Sequence, residues 1–212
     1  NEFLLTTPAP YAELGACYGG SHPWQLRTGV LQALRLASDI LETRQPSWRI
    51  KLFDAYRPNS VQEFMVHHEF LLLSGGRPPA MVEVAERAAL WERTYRIWAK
   101  PSGDPGTPPP HSTGAALDLT LADSKGQDLP MGSPIDENSD RSNPDYFASH
   151  DPVLHANRQF LLEIMTAAGF RRHPSEWWHF CLGDQMWAWQ VNRETPEIQA
   201  VARYGRADLL PD

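Results

Sequence analysis

Residues 48–58 read WRIKLFDAYRP, and this stretch decides the fold class. Its apolar and basic residues alternate as far as Leu52, which is typical of a strand with one buried face, and Pro58 cannot continue a strand ladder. Apolar residues at three-to-four spacing predict a helix over residues 26–44 before this strand. A second helix is predicted after the strand, from a Ser60–Glu63 capping box to residue 73. A strand between two amphipathic helices indicates a sheet that packs against helices.

The rest of the chain repeats this mixture without forming a regular strand-helix alternation. Residues 101–110 hold five Pro and two Gly, so they predict a stiff connector, and a polar stretch of about thirty residues follows the next strand. The other predicted elements are helices over residues 80–100, 154–168 and 184–193 and strands over residues 114–121 and 176–182. Separate runs of helix and strand favour an α+β fold, in a single domain with helices flanking the sheet, over a parallel, doubly wound sheet.

Composition limits the classes of partner. The 212 residues include 26 acidic residues and 19 Lys plus Arg, which gives a formal net charge of −7 without any basic block. This balance argues against nucleic acid as a partner, because binding to nucleic acid depends on neutralising its phosphates.

No apolar run reaches the roughly 18 to 20 residues of a membrane span. Two cysteines, Cys17 and Cys181, are too few for a disulfide scaffold. We predict one domain over residues 1–212 and a cytoplasmic location, with a periplasmic or exported protein as the alternative.

Two segments carry residues that suit a catalytic metal. The first is HSTGAALD, from His111 to Asp118, and the second is EWWH, from Glu176 to His179. Two imidazoles and one carboxylate make a good zinc set that leaves a fourth position open, and Glu176 is then a base that does not bind the metal. His111 and Asp118, like Glu176 and His179, are an odd number of positions apart. In a flat strand, the two side chains of such a pair would point to opposite faces. We therefore expect His111 and Glu176 to lie in loops just before their strands.

Two further segments supply charged groups for a substrate. Arg57, in DAYRP at the end of the first strand, offers a fixed fork of donors for a carboxylate or an oxyanion, although a surface ion pair with Asp54 is the other interpretation. Asp136, at the end of MGSPID in the long polar stretch, offers a carboxylate for a substrate ammonium. Residues 136–147 do not form an EF-hand, because Arg141 and Phe147 occupy the Gly and Glu positions.

Together the four motifs resemble the D-Ala-D-Ala dipeptidases of the vancomycin-resistance type, within the zinc D-Ala-D-Ala metallopeptidases. The resemblance covers about residues 48–182 and implies an α+β fold around a small antiparallel sheet, with one Zn²⁺ per chain and a small dipeptide as substrate. The roles that it implies are zinc ligation by His111, Asp118 and His179, acid/base catalysis by Glu176, transition-state stabilisation by Arg57 and binding of the substrate amino group by Asp136.

Two departures from the family pattern concern substrate binding. Pro109 stands where family members usually carry a Ser that helps to bind the substrate carboxylate. Residues 1–47 match the pattern poorly, so that Tyr11 is only a loose counterpart of a family Tyr and is not assigned to the site.

Two alternatives to the dipeptidase stay open. A D,D- or L,D-carboxypeptidase or endopeptidase acting on peptidoglycan stems would share the metal site but have a more open cleft. A zinc-holding binding module without catalysis is the alternative of another class, and the presence of Glu176 and Arg57 argues against it, since neither is needed to hold a metal.

The other six histidines are interpreted as structural. Antibiotic resistance, salvage of D-Ala-D-Ala and wall turnover are all compatible roles.

Overall fold

A five-stranded sheet in the order β1-β2-β3-β5-β4 forms the centre of the protein. The computed structural model describes residues 2–207. The strands are β1 (Leu4–Leu5), β2 (Arg49–Asp54), β3 (Ala116–Ala122), β4 (Arg171–Arg172) and β5 (His179–Cys181). β1 pairs with β2 in parallel, whereas the other neighbouring strands are antiparallel. The α+β class is confirmed, but the sheet is mixed and the predicted antiparallel sheet is wrong at this edge. Residues 6–48 separate β1 from β2, a connection long enough for a parallel crossover.

Six α-helices surround the sheet within residues 2–207. They are α1 (Pro10–Glu13), α2 (Thr28–Arg44), α3 (Asn59–Leu73), α4 (Val84–Thr94), α5 (Pro152–Ala167) and α6 (Gln185–Glu194). No helix among residues 2–207 is long and apolar enough to cross a bilayer. The predicted domain also includes residues 1 and 208–212, which lie outside the described residues, and its extent stays a prediction.

Two predicted helix boundaries are wrong. The N-cap of α3 is Pro58, which has no side-chain capping bond, so Ser60 and Glu63 lie inside the helix and form no capping box. The helix predicted over residues 80–100 is only α4, because the chain leaves helical geometry after Thr94. The residues that follow α4 pack against the N-terminal region instead, with the ring of Trp98 edge-on to that of Tyr11 at 5.9 Å. Tertiary packing therefore overrides the helical pattern at this point.

Both faces of the sheet are covered. All seven residues of β3 are buried. The main core contains apolar residues of α2, α5 and the central strands, including Leu34, Leu119 and Leu161. Phe53 of β2 packs with a separate cluster of α1, α3 and Trp98. The polar side chains of β3 are therefore enclosed in protein instead of facing water.

The long polar stretch predicted after β3 is an ordered connection to α5. It contains only short 3-10 helices, Asp140–Ser142 and Tyr146–Ser149. Gly132 begins the part of the loop that carries Asp136. Its φ is +87°, and a Cβ atom there would collide with the ring of Phe147. Only glycine fits that turn, which fixes where the chain re-enters the neighbourhood of the sheet.

Candidate metal centre

Three side chains from different elements converge beside the middle of the sheet. Asp118 of β3 lies directly opposite His179 of β5 in an antiparallel pair, so both side chains point to the same face. His111 lies in the 3-10 helix Pro110–Thr113, and Gly114, with φ of +69°, turns the chain into β3. One potential ligand atom from each of the three residues lies within 4.8 Å of the others. The structure thus brings together the three predicted ligands.

The contacts among these donors test whether a cation fits between them. His111 Nδ1 lies 2.7 Å from the carbonyl oxygen of Ala55, which fixes that nitrogen as the protonated one and leaves Nε2 with its lone pair. His111 Nε2 is 3.1 Å from His179 Nδ1 and 3.2 Å from Asp118 Oδ2, while His179 Nδ1 is 3.0 Å from Asp118 Oδ1. Among the described residues, the buried His179 Nε2 has no hydrogen-bond partner. Two buried imidazoles and one buried carboxylate at these distances make a donor set that fits a divalent transition metal.

The electrostatics of Asp118 agree with a ligand role. Burial alone would raise the pKa of this carboxyl, but the charges and hydrogen bonds of His111 and His179 outweigh it and hold the pKa well below its usual range. Asp118 is therefore an anion at neutral pH, as a metal ligand must be.

Glu176 lies beside the three donors without joining them. It precedes β5, as the odd spacing of the motif predicted, although β5 begins only at His179 and the predicted strand bounds began at residue 176. Its Oε2 is 3.9 Å from His179 Nδ1 and its Oε1 is 3.6 Å from His173 Nδ1. Burial, followed by the charges of Asp118 and Asp136, raises the pKa of Glu176 well above its usual value. A carboxyl with a raised pKa beside a metal site is suited to accept and return a proton.

Arg57 follows β2 and is almost fully buried. It donates from Nε to Asp54 Oδ2 at 3.0 Å, from Nη1 to Gln62 Oε1 at 2.9 Å, and from Nη2 to Tyr11 Oη at 3.0 Å and Asp118 Oδ2 at 3.2 Å. The ion pair with Asp54 exists, but it is buried, so the interpretation as a surface pair is wrong. Four partners hold this charge rigidly against the candidate metal centre.

Asp136 reaches the same cleft from the long loop. Its backbone has φ of +65°, and its Oδ2 accepts a hydrogen bond from Tyr11 Oη at 2.8 Å. Burial, followed by the charge of Asp118, raises the pKa of Asp136 to about 7. A half-buried carboxylate in a cleft can bind a substrate ammonium, and the ammonium would favour its charged form.

Tyr11 is a site residue that the sequence analysis did not assign. It lies in α1, is 1% exposed, and its hydroxyl joins Arg57 to Asp136. Arg57 also lies over the Tyr11 ring, 4.7 Å from its centroid. No periodic pattern or motif in residues 1–47 marks this tyrosine, because a four-residue helix carries no signal of its own.

The cleft that these side chains line is small, about 170 Å³. Residues 95–99, after α4, form one wall, and Pro110 and Met186 contribute to the lining elsewhere. Pro109, which replaces the family Ser, is buried and is not among the lining residues.

Comparison with known proteins identifies the family. Residues 5–201 match the sequence profile of the family described as D-ala-D-ala dipeptidase. The chain belongs to the D-ala-D-ala dipeptidase family. The assignment made from the four motifs is therefore confirmed, and the chain is a peptidase of a metallopeptidase family. Since the match starts at residue 5, the expectation that residues 1–47 fit the family poorly is wrong.

Relatives within the D-ala-D-ala dipeptidase family agree with this assignment. A D-alanyl-D-alanine dipeptidase of Synechocystis is 46% identical over 95% of this chain and 86% of its own length. One of Escherichia coli is 49% identical over 33% of this chain and 36% of its own length. A solved LD-carboxypeptidase, LdcB, covers 87% of this chain and 74% of its own with 16% identity and a TM-score of 0.46, too low to support an argument.

Proposed function

We propose that this protein hydrolyses the dipeptide D-Ala-D-Ala with one zinc ion held by His111, Asp118 and His179. The observation that carries the proposal is the convergence of these three donors beside Glu176, a buried carboxyl that is not one of them. The name of the Synechocystis relative supports the substrate. Zinc is the metal that best suits two histidines and one carboxylate with an open position.

The residues of the chain divide the chemistry between them. Zinc in such a site supplies Lewis-acid polarisation of the scissile carbonyl. Glu176 takes a proton from the attacking water as the new C–O bond forms, and it delivers that proton to the leaving nitrogen as the C–N bond breaks. The fixed charge of Arg57 stabilises the negative charge that develops on the carbonyl oxygen, without moving during the reaction.

The size of the cleft favours a dipeptide. About 170 Å³ leaves room for a small substrate but not for a long peptide. Asp136 would bind the free ammonium at one end of the dipeptide, and a peptide with an amide there would leave that carboxylate without its partner. These two features favour the dipeptidase over the carboxypeptidase alternative.

Removing and restoring the metal tests the whole proposal. We expect a chelator to abolish hydrolysis of D-Ala-D-Ala and one equivalent of zinc per chain to restore it. L-Ala-L-Ala and a stem pentapeptide ending in D-Ala-D-Ala serve as the comparison substrates, and we expect both to stay intact. Release of D-Ala from the pentapeptide alone would favour the carboxypeptidase. A zinc-loaded protein that hydrolyses none of the three would favour the non-catalytic binding module.

The Asp136→Asn variant tests binding of the substrate amino group. We expect its KM for D-Ala-D-Ala to rise about 10- to 100-fold, as loss of one charge-assisted hydrogen bond predicts, with a smaller change in kcat. Because the pKa of Asp136 is about 7, the wild-type KM should fall as the pH rises from 6 to 8 and the carboxylate ionises. The KM of the variant should lack this fall. Asp128→Asn, at an exposed ion pair with Lys51, is the control. An unchanged KM in Asp136→Asn would contradict the assignment.

A further inference from the structure

An exposed ion pair lies at one edge of the catalytic cleft. Arg96, in the segment after α4, donates from Nη2 to Asp140 Oδ1 at 2.8 Å. Arg96 and Ile97 line the cleft, and the same two residues line a second cavity of about 520 Å³. Asp140 belongs to the lining of the second cavity but not of the first. The ion pair therefore stands at the boundary between the small cleft and a larger groove.

Neighbouring contacts place this boundary at the end of the cleft that holds Asp136. Asp136 and Asp140 belong to the same loop. Tyr11, which donates to Asp136, packs edge-on against Trp98, two residues after Arg96. A dipeptide whose ammonium meets Asp136 would therefore have its amino end against the loop that carries Asp140, which contacts the segment after α4.

The loop is held against the segment that carries Arg96. Asn138 Nδ2 donates to the carbonyl oxygen of Arg93 at 2.9 Å and to Glu69 Oε1 at 2.8 Å. With the backbone anchored there, the Arg96–Asp140 ion pair is a second link between the loop and this segment. Their exposed fractions are 52% and 82%. Since exposed ion pairs add little to stability, either side chain can be replaced without endangering the fold.

The second cavity is suited to the amino end of a longer peptide. Its lining includes Asp140 and Asp145, together with the polar residues Ser139, Ser142 and Ser175. Arg96 now neutralises Asp140. Without Arg96, the residues that line both the cleft and the groove would be reduced to Ile97, and the Asp140 carboxylate would be free to attract a peptide ammonium.

We propose that the Arg96–Asp140 ion pair closes the amino end of the cleft and thereby restricts the substrate to dipeptides. The groove beyond it is the site that an additional N-terminal residue would occupy. This inference rests on the proposed dipeptidase function, and it assigns to two surface side chains a role in selecting the length of the substrate.

Peptides that differ by one N-terminal residue test the proposal. The measured quantity is the ratio of kcat/KM for D-Ala-D-Ala to that for Gly-D-Ala-D-Ala, which is cleaved at the same bond. We expect Arg96→Ala to lower this preference for the dipeptide at least tenfold. Asp140→Ala should lower it less, about threefold, because it opens the boundary but removes the carboxylate that would attract the ammonium. Arg141→Ala, which breaks the exposed Arg141–Glu137 pair of the same loop, is the control and should keep the wild-type ratio.

A wild-type ratio in Arg96→Ala, with dipeptide hydrolysis retained, would overturn the inference. Calorimetric binding of the two peptides separates this result from failure of the proposed function. Even if the zinc-loaded wild type hydrolyses neither peptide, Arg96→Ala should bind Gly-D-Ala-D-Ala at least tenfold more tightly than wild type does, and an unchanged affinity would overturn the proposal. An equal gain in affinity for Gly-D-Ala-D-Ala in Arg96→Ala and Arg141→Ala would also overturn the proposal, since it would reflect general loosening of the loop.

Discussion

The Glu176→Gln variant is expected to lose about 10²- to 10⁴-fold in kcat for D-Ala-D-Ala while still binding one zinc ion per chain. Gln keeps the size of the side chain but cannot accept and return a proton. Glu176 is buried and its Oε2 lies 3.9 Å from Nδ1 of the candidate ligand His179, beyond hydrogen-bond distance, so we expect the substitution to leave the three donors in place. Steady-state kinetics and metal analysis of the same preparation measure the two quantities.

The control for this variant is Glu163→Gln, the same chemical change at an exposed ion pair with Arg44. It should keep wild-type kinetics and zinc content. Near-native turnover in Glu176→Gln would exclude this residue as the proton carrier. Loss of zinc in the variant would instead indicate that Glu176 holds the metal.

The elements of the fold that the sequence predicts are those with a long periodic pattern. The spacing of apolar residues gives α2 within two residues of its observed start, and alternation gives β2 within two residues of each end. β1 and α1 have two and four residues, too few for any period to show. The edge of the sheet that makes it mixed therefore could not be predicted, because its strand is fixed by pairing with β2 and not by its own pattern.

In the candidate site, too, the residues that lie in a sequence pattern can be predicted and those without one cannot. His111, Asp118, Glu176 and His179 occur in two short motifs whose residue types suggest the chemistry, and the pairing of β3 with β5 brings the two motifs together. Arg57 and Asp136 lie in the two other motifs, but residues 95–99, which complete the cleft, lie in none. The wall of the cleft after α4 exists because the chain leaves helical geometry there and packs against α1, which a helical pattern through residue 100 conceals.

The long loop that carries Asp136 depends on one buried cation. Arg158 of α5 is fully buried, and in place of a carboxylate its guanidinium meets oxygen atoms of the loop. It donates to the carbonyl oxygens of Met131, Arg141 and Asn143 at 2.7 to 2.8 Å. Burial lowers the pKa of Arg158 to about 10, so it is still charged at neutral pH. The loop on both sides of Asp136 is thus tied to one side chain of the core.

Arg158→Met should reduce the free energy of unfolding by about 3 kcal/mol or more, because three carbonyl groups of the loop lose a buried, charged donor at once. Arg158→Lys keeps the charge but offers a single nitrogen, so its loss should be intermediate. Urea denaturation measures both, and Arg35→Met, at an exposed ion pair with Glu2, should change stability by no more than about 0.5 kcal/mol. Where Arg158→Lys stays folded, its KM for D-Ala-D-Ala should rise more than its kcat falls, since the shifted loop carries Asp136 and not Glu176. Wild-type stability in Arg158→Met would show that the loop holds its shape without this cation.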